Sequence, residues 1–393
     1  MRRKLKQAAV VVSATLVALA AAELFLRLFA APPPTVYALD DLYLHRLVPG
    51  SAKVYRHSAQ NGGGEVEVRI NSLGFREREF ERRPPPGTKR VIVYGDSFVE
   101  AEFTPLEETF TRKLEQGLAA AGRVEVINAG VIAYGPDQVS LRVEREAGEL
   151  RPDLVVVALC STNDFGDLLR NKIYRLGAGG ELVKSDYRLD PVFRRSNDPP
   201  RSLLLRRVRQ LAARLRGGGG DGPPRPLTPE AYVSHCVGRC REQYESYLVE
   251  GDSLVRELFS DQYDADISLG TDAEAARHKK RLMEAVLKHI KRTTDERGVP
   301  LLLVVIPSLI DLTDEFRIDR ATYPGYDPKA LTGALQEIAE RNRIESVNLY
   351  DLFAANDPAS LYFKFPETHW NEKGQAAAAR ATAERILSAG LLR

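Results

Sequence analysis

The chain has 393 residues, and its 56 Lys and Arg nearly balance its 54 Asp and Glu, giving a formal net charge of +2 at pH 7. So small a charge argues against a protein that binds nucleic acid over its whole surface, and the sequence has no zinc-finger, Walker or Rossmann phosphate-binding signature. The length accommodates one large α/β domain with insertions and argues against a second independent enzyme.

The first segment, residues 1–31, has the pattern of a membrane anchor. A basic flank, Arg2-Arg-Lys-Leu-Lys6, precedes an apolar stretch that runs from Ala8 to Ala31 and contains Glu23 and Arg27 one helical turn apart. The stretch is long enough to cross a bilayer core of about 30 Å, and the basic flank keeps the N-terminus in the cytoplasm. We therefore expect an uncleaved anchor and an exported chain; a signal peptide cleaved after Ala20-Ala-Ala22 is the alternative.

Residues 32–88 form the next segment, which we expect to be an accessory hairpin and linker. Val66-Glu-Val-Arg-Ile70 alternates like a strand and is followed by the turn-like Asn71-Ser-Leu-Gly-Phe75. The run Pro84-Pro-Pro-Gly87 then marks a break before the main domain, residues 89–393.

Within the main domain, short apolar runs alternate with stretches of helical periodicity, as in βαβ units. Strands are predicted at Arg90–Tyr94, Val124–Asn128, Leu154–Leu159, Leu301–Ile306 and Ser346–Leu349. Helices are predicted at Thr109–Ala121, Pro136–Leu150, Thr271–Arg297, Pro328–Asn342 and Glu372–Leu387. This pattern predicts an α/β fold of three layers, a parallel sheet with helices on both faces.

An insertion at about residues 171–264 interrupts that rhythm. It contains a flexible linker with Gly217-Gly-Gly-Gly220 and Pro223-Pro-Arg-Pro226, and a helical part from Pro229 to Phe259. The helical part either caps the edge of the sheet that would carry the active site or is a segment on the protein surface without such a role. The basic residues between Arg194 and Arg216 are either merely solvated or bind an acidic polysaccharide, anionic lipid or nucleic acid.

The most informative motif is Val91-Ile-Val-Tyr-Gly-Asp-Ser-Phe-Val99, in which an apolar strand ends at Gly95-Asp96-Ser97. Three further segments also follow apolar runs: Asn128-Ala-Gly130, Ser161-Thr-Asn-Asp164 and Glu367-Thr-His-Trp-Asn371. Because carboxyl ends of parallel strands open on one edge of a sheet, we expect these segments to meet there. Taken singly, each is also an ordinary turn, cap or surface pair.

With these four blocks in this order, the chain resembles the SGNH (GDSL-type) hydrolase superfamily, from about Lys89 to the C-terminus. The resemblance implies a flavodoxin-like sheet, a nucleophile at Ser97, oxyanion-hole positions at Gly130 and Asn163, and a catalytic histidine at His369. The acid-x-His-Trp-Asn spacing is similar to the branch that contains membrane-associated and periplasmic polysaccharide O-acetyl-modifying proteins.

Two residues depart from the family pattern. Ser161 stands where the family's third block has glycine, and Pro366 stands where the family usually has the aspartate three residues before the histidine. Glu367, two residues before His369, is the carboxylate that remains.

These residue types suit acyl transfer through a serine. A serine hydroxyl needs a base to take its proton, which we expect to be His369, oriented by the carboxylate of Glu367. The backbone N–H groups of Ser97 and Gly130 and the amide of Asn163 would bind the negative oxygen of the tetrahedral intermediate.

The sequence therefore predicts a serine esterase or O-acyltransferase that forms an acyl-enzyme on Ser97, from short acyl esters of a cell-envelope glycan or a similar substrate. The alternative is an inactive envelope protein of this fold that binds acylated glycan or an assembly partner. The expected partners are an acylated carbohydrate and the membrane, without nucleic acid, and no cofactor or metal is expected.

The sequence has three cysteines. Cys160 follows a strand, where a buried free thiol is expected. Cys236 and Cys240 are either a disulfide of an exported protein, strained on a regular helix, or free thiols. His235, Cys236 and Cys240 together could supply three ligands of a metal site, but the sequence offers no clear fourth ligand.

Overall fold

The structure of the chain is a computed structural model that describes residues 2–29, 35–197, 202–215, 227–249, 251–259 and 262–392. It contains two compact units, one formed by residues 1–34 and 195–226, the other by 35–194 and 227–393. The Gly-rich and Pro-rich runs of the expected linker lie outside the described residues.

The helices are α1 (Arg2–Phe29), α2 (Ser97–Glu100), α3 (Phe110–Gly117), α4 (Pro136–Leu150), α5 (Asp164–Asn171), α6 (Pro191–Asn197), α7 (Leu203–Leu215), α8 (Pro229–Leu248), α9 (Ala265–Ser268), α10 (Ala273–Asp295), α11 (Leu309–Leu312), α12 (Ala330–Arg341), α13 (Tyr350–Ala354) and α14 (Glu372–Ser388).

The strands are β1 (Tyr37–Asp40), β2 (Leu44–Leu47), β3 (Ala52–Arg56), β4 (Glu65–Arg69), β5 (Lys89–Gly95), β6 (Val124–Gly130), β7 (Leu154–Cys160), β8 (Tyr174–Leu176), β9 (Leu182–Lys184), β10 (Arg188–Leu189), β11 (Leu254–Val255), β12 (Leu301–Ile306) and β13 (Glu345–Asn348).

The central sheet has five strands in the order β13-β12-β7-β5-β6, and every neighbouring pair is parallel. Counted along the chain, this is the 2-1-3-4-5 order of flavodoxin-like folds, whose strand order reverses beside the first strand. The expected parallel α/β sheet is confirmed. The reversal places the ends of β5, β6 and β7 side by side, and this edge carries three of the four sequence blocks.

Helices cover both faces of this sheet. On one side α3 packs against α14, and on the other α10 packs against α4 and α5. The sheet strands are nearly continuous apolar runs, and β7 and β12 are buried along their whole length, as expected for a sheet enclosed on both faces. The predicted bounds of Pro136–Leu150 and Leu301–Ile306 agree with α4 and β12.

Two antiparallel hairpins, β1-β2 and β3-β4, precede the sheet. Val66, Val68 and Ile70 point into a small hydrophobic cluster with Val131 and Tyr134, which follow the end of β6. The hairpins are thus packed directly on a loop at the edge of the sheet where the sequence blocks lie.

In the inserted region, β8 and β9 form an antiparallel hairpin and α8 packs against α5 and α9. Tyr232 of α8 lies with its ring centroid 5.9 Å from that of Phe365, close to the histidine block. Cys236 and Cys240 are both buried, and no disulfide joins them. The Cys240 thiol donates to the Tyr263 carbonyl oxygen over 3.4 Å.

Candidate active site

Ser97 lies at a sharp turn between β5 and α2. Asp96 caps α2, its carboxylate accepting a hydrogen bond from Phe98 N at 2.9 Å, so Ser97 begins the helix. Glycine is needed at position 95, because a Cβ there would lie 2.5 Å from Val99 Cγ2 and 2.9 Å from the Ala158 oxygen. Within the described part of the chain, the Ser97 N–H has no hydrogen-bond partner.

The hydroxyl of Ser97 meets the imidazole of His369. Ser97 Oγ lies 2.8 Å from His369 Nε2, across 272 residues of sequence. Ser97 is buried, with 8% of its surface exposed, and His369 is half-buried. This distance is within the range required for proton transfer from a nucleophile to a general base.

The other ring nitrogen of His369 is held by the main chain. His369 Nδ1 hydrogen-bonds to the carbonyl oxygen of Glu367, which makes Nδ1 the protonated nitrogen and leaves Nε2 as the acceptor toward Ser97. Thr368 between them has a φ of 42°, a left-handed conformation that a β-branched residue rarely adopts. The strained turn allows a residue only two positions away to reach its neighbour's ring.

The carboxylate of Glu367 has different partners. It accepts hydrogen bonds from Ser58 N at 3.4 Å and from Asn61 Nδ2. The expected partner of His369 Nδ1 is the carboxylate of Glu367. In the structure, Nδ1 instead donates to the main-chain carbonyl oxygen of the same residue. The reason is geometric: with Thr368 left-handed, the carbonyl faces the ring, and the side chain is directed toward the hairpin.

The connection between β3 and β4 thus reaches the histidine loop. Asn61 Oδ1 accepts from Lys364 N at 2.8 Å, Asn61 Nδ2 also donates to the Lys364 oxygen at 3.3 Å, and Gln60 Nε2 donates to the Phe365 oxygen. Sequence reasoning gave no role to Asn61 or Gln60. The only local signal was their place in a polar, glycine-rich turn, which many surface hairpins share.

On its other side, the histidine loop is anchored in the core. Trp370 is 1% exposed and packs against Phe98, Phe110 and Phe353. Asn371 caps α14, accepting from Lys373 N at 2.9 Å and Gly374 N at 3.2 Å. Trp370 and Asn371 therefore hold the loop, and the ring of Phe98, next to the serine, lies 4.9 Å from that of His369.

Gly130 ends β6 directly beside Gly95. A Cβ at this position would lie 2.3 Å from Glu100 N and 2.7 Å from two Val99 atoms, so only glycine lets β6 approach α2 so closely. The Gly130 N–H donates to Asn128 Oδ1 at 3.0 Å. The Gly130 amide is thus engaged by a side chain of its own block.

Asn163 comes at the start of α5 and is buried. Its amide donates one hydrogen to Asp167 Oδ2 at 3.0 Å, which leaves the second amide hydrogen for another acceptor. Asp167 in turn pairs with Arg170 at 2.6 Å, and Arg170 donates to the Ala133 oxygen at 3.0 Å. This chain of bonds ties the third block to the loop that follows Gly130.

Two buried carboxyl groups near Ser97 have raised pKa values. Burial, with the negative charges of Asp96 and Asp167, raises the pKa of Asp164 well above its ordinary range, although Cys160 N donates to it at 2.7 Å. Burial and the charge of Glu102 raise the pKa of Glu100 to about 7. Both groups favour the neutral form because the low-dielectric interior penalises the charged one.

A group with metal-binding side chains lies further along the chain. One ligand atom each of Cys240, Asp264 and Asp266 lies within 4.8 Å of the others. However, Lys279 Nζ donates to Asp264 at 2.7 Å and to Asp266 at 2.8 Å, and supplies the compensating positive charge. His235 is exposed while Cys236 and Cys240 are buried, so these three do not form a common ligand set.

Residues 258–392 match the sequence family described as SGNH hydrolase-like domain, acetyltransferase AlgX. The matched region includes Glu367 and His369, and the other three blocks precede it. A search of curated protein sequences returned no match.

Among solved structures, a two-domain esterase (CEX) active on acetylated mannans has a TM-score of 0.37 and 10% identity, covering 77% of this chain and 49% of that one. This chain thus spans about half the length of CEX. A catalytic mutant of the acetylxylan esterase Axe2 from Geobacillus stearothermophilus has a TM-score of 0.39 and 12% identity, covering 76% and 94%. The acetyl xylan esterase AlAXEase has a TM-score of 0.35 and 15% identity, covering 76% and 98%.

The parallel sheet carries the four sequence blocks in order, and residues 258–392, which supply its last two strands and the histidine block, are similar to the SGNH hydrolase-like domain family described by the acetyltransferase AlgX.

Proposed function

We propose that this protein is a serine esterase or O-acetyltransferase that carries the acyl group on Ser97. The observation that supports this most directly is the 2.8 Å contact between Ser97 Oγ and His369 Nε2. A serine hydroxyl within hydrogen-bond reach of an imidazole whose other nitrogen is held in place is the arrangement that activates serine as a nucleophile.

In the first half of the reaction, Ser97 Oγ attacks the ester carbonyl carbon while His369 Nε2 takes the hydroxyl proton. The C=O π electrons move to the oxygen, giving a tetrahedral oxyanion. On collapse, the bond to the leaving alkoxide breaks, and His369 returns the proton to that oxygen. The acyl group is then esterified to Ser97, and an alcohol, such as a sugar hydroxyl, has left.

The oxyanion requires donors that are already oriented. We assign the Ser97 N–H and the second amide hydrogen of Asn163 to this role, because neither is engaged by another group of the described chain. Gly130 is assigned mainly to packing, and its N–H joins the oxyanion hole only on release from Asn128 Oδ1. Each oxyanion donor contributes about 2.7 to 4 kcal/mol to the transition state.

Positioning of His369 is assigned to the main chain. The carbonyl of Glu367 fixes the tautomer, and the partial negative charge of that oxygen stabilises the imidazolium that forms during attack. The Glu367 carboxylate holds the loop through Asn61 and Ser58. It therefore acts on catalysis through the position of the ring.

In the second half, His369 takes a proton from the acceptor as that acceptor attacks the acyl carbon, and Ser97 leaves with the proton returned to it. Water as acceptor gives hydrolysis, and a sugar hydroxyl gives transfer. The acetyl group is favoured as the acyl group because the matching family is described by an acetyltransferase, AlgX.

A glycan is favoured as the alcohol part of the substrate. Half-buried aromatic rings border His369: Phe103 lies 6.3 Å from the His369 ring, and Tyr55 lies 5.8 Å from Phe103. Both rings offer a large apolar surface and Tyr55 adds a polar hydroxyl, which suits the mixed surface of a sugar. The apolar α1 directs the catalytic unit to the extracytoplasmic side of the membrane.

The test is covalent labelling of the full chain in detergent with a fluorophosphonate probe, comparing wild type with Ser97→Ala and His369→Ala. We expect labelling of wild type that disappears in Ser97→Ala and falls at least 100-fold in rate in His369→Ala. Ser388→Ala, which changes an exposed serine at the end of α14, is the matched control and should label like wild type.

Folded wild type that stays unlabelled would reject the proposal and favour a protein that only binds acylated glycan. If labelling occurs, incubation with an acetylated oligosaccharide and an unacetylated one distinguishes the two reactions. Free acetate alone indicates a hydrolase, and a newly acetylated oligosaccharide indicates a transferase.

A further inference from the structure

The unit formed by α1 and α7 is rich in exposed apolar surface. Residues Lys6–Phe29 of α1 form a helix long and apolar enough to cross a membrane. No residue of the most apolar 18-residue stretch of this helix is buried. In α7, Leu205, Val208 and Leu211 are 49%, 53% and 57% exposed. These three are spaced three residues apart, so they lie on one face of the helix.

The sequence of α7 is also strongly basic, LLLRRVRQLAARL, and lacks acidic residues. A helix with an apolar row and several arginines outside that row has the composition of a helix that lies in the plane of a membrane surface. Arginine can extend its charged group to anionic headgroups while its methylene stem remains in the apolar layer.

Glu23 links the two helices. Its carboxylate accepts hydrogen bonds from Leu203 N at 3.1 Å, Leu204 N at 2.9 Å and Ser202 Oγ at 2.8 Å, all at the beginning of α7. The guanidinium of Arg27 pairs with the same carboxylate at 2.8 Å. The acid thus satisfies the free N–H groups of a helix N-terminus, where negative charge is favoured.

This contact explains an acidic residue in an otherwise apolar stretch. A carboxylate within a membrane-spanning helix is costly unless it is paired, and Glu23 is paired by Arg27 and by the start of α7. Glu23 precedes the end of α1 by six residues, which is about 9 Å along the helix axis. Glu23 therefore lies in the last two turns of α1, near the boundary region into which interfacial helices insert by about 5–10 Å.

We propose that α7 is a membrane-surface helix, docked by Glu23 on the outer end of a retained α1 and seated on a bilayer that contains anionic lipid. We assign the bilayer as the partner that covers the apolar row of α7. The row belongs to the same unit as α1, which has the length and composition to span a bilayer. In this arrangement α1 is an anchor and not a signal peptide, because cleavage after Ala22 would leave Glu23 as a new N-terminus, without the helix that positions it.

The test uses the full chain reconstituted in nanodiscs of phosphatidylethanolamine and phosphatidylglycerol, with a nitroxide label on Val208→Cys or on Arg207→Cys. Arg207 is also exposed and adjacent in sequence, and it is turned about 100° around the helix from Val208, to the edge of the apolar row, so it is the matched control. The native cysteines are buried. We expect collisions with oxygen to exceed those with a water-soluble nickel chelate at Val208, and the ratio to be several-fold lower at Arg207.

Glu23→Ala should bring the ratio at Val208 close to that at Arg207. Thr15→Ala should leave it unchanged, because the Thr15 hydroxyl donates within α1, to the Val11 oxygen. Equal, water-like access at both labelled positions in the nanodisc would overturn the proposal, as would a mature chain that begins at Glu23 by mass spectrometry. The proposal would also be overturned if, without lipid, the label at Val208 became less accessible to the nickel chelate as the protein concentration rose. That result would mean that a second copy of the chain covers the apolar row.

Discussion

Asn61 and Glu367, separated by 306 residues, form a hydrogen bond that joins the turn between β3 and β4 to the loop carrying His369. The same asparagine accepts from Lys364 N at 2.8 Å. The accessory hairpin is therefore part of the support of the candidate active site, since the loop that holds the imidazole is fixed on one side by Trp370 and on the other by Asn61.

Replacing Asn61 by alanine should lower kcat for ester hydrolysis by about tenfold with little change in KM, which corresponds to about 1.4 kcal/mol at the transition state. The side chain has no assigned contact with substrate, so the loss arises from a less well-positioned His369. Steady-state kinetics on a soluble acetyl ester checks this. Asn356→Ala is the control, because Asn356 is exposed and its side chain donates to the Leu352 oxygen, within its own segment of the chain. A change in KM alone would indicate a substrate contact.

Glu367→Gln should retain at least a tenth of wild-type kcat. The carbonyl that holds His369 Nδ1 is unchanged, and the glutamine oxygen can still accept from Asn61. A triad that depends on its carboxylate loses about 10⁴ in kcat when the acid becomes an amide. Turnover measured for this variant separates the two arrangements, and a loss of that size would restore the carboxylate as the partner of the imidazole.

Gly130→Ala should destabilise the protein by about 1–3 kcal/mol, because the added methyl group overlaps the backbone at Val99 and Glu100. Gly148→Ala is the matched control, since it lies within α4 with no atom near the new methyl group and should stabilise by about 1 kcal/mol. Urea unfolding of both variants gives the comparison. Equal stability of Gly130→Ala and wild type would reject the steric role of this glycine.

The free energy of unfolding should fall as pH rises from about 4.5 to about 7, partly because of Glu100. Its pKa in the folded protein is about 7 against an ordinary value of 4.5, so the folded state binds more protons than the unfolded state within this window. The cause is burial, with the charge of Glu102 adding to it and hydrogen bonds from Tyr37 and Ile132 N opposing it.

Glu100→Gln should therefore be more stable than wild type at pH 8 and differ little from it at pH 4, measured by denaturant unfolding. Part of the slope will remain, because burial also raises the pKa values of Glu77 and Asp137 to about 7. An identical pH slope in variant and wild type would show that Glu100 is not the group responsible.

Much of the fold follows from local sequence patterns. The run Leu301–Ile306 is apolar on both faces and Pro136–Leu150 has a proline at its start and a helical period, so both elements agree with their predicted bounds. The strand ends are similarly marked by Gly95 and Gly130, because close backbone approach excludes any side chain. These signals arise from neighbours in sequence, which is why they can be read without the structure.

The tertiary structure decided the contacts between segments that are distant in sequence. The sequence could pair Ser97 with His369 only through the resemblance, whereas their 2.8 Å distance depends on the packing of Phe98 and Trp370. The choice of carbonyl over carboxylate at Glu367 depends on the left-handed Thr368 and on Asn61. Such choices are set by backbone direction and by competing partners hundreds of residues away, which no local pattern encodes.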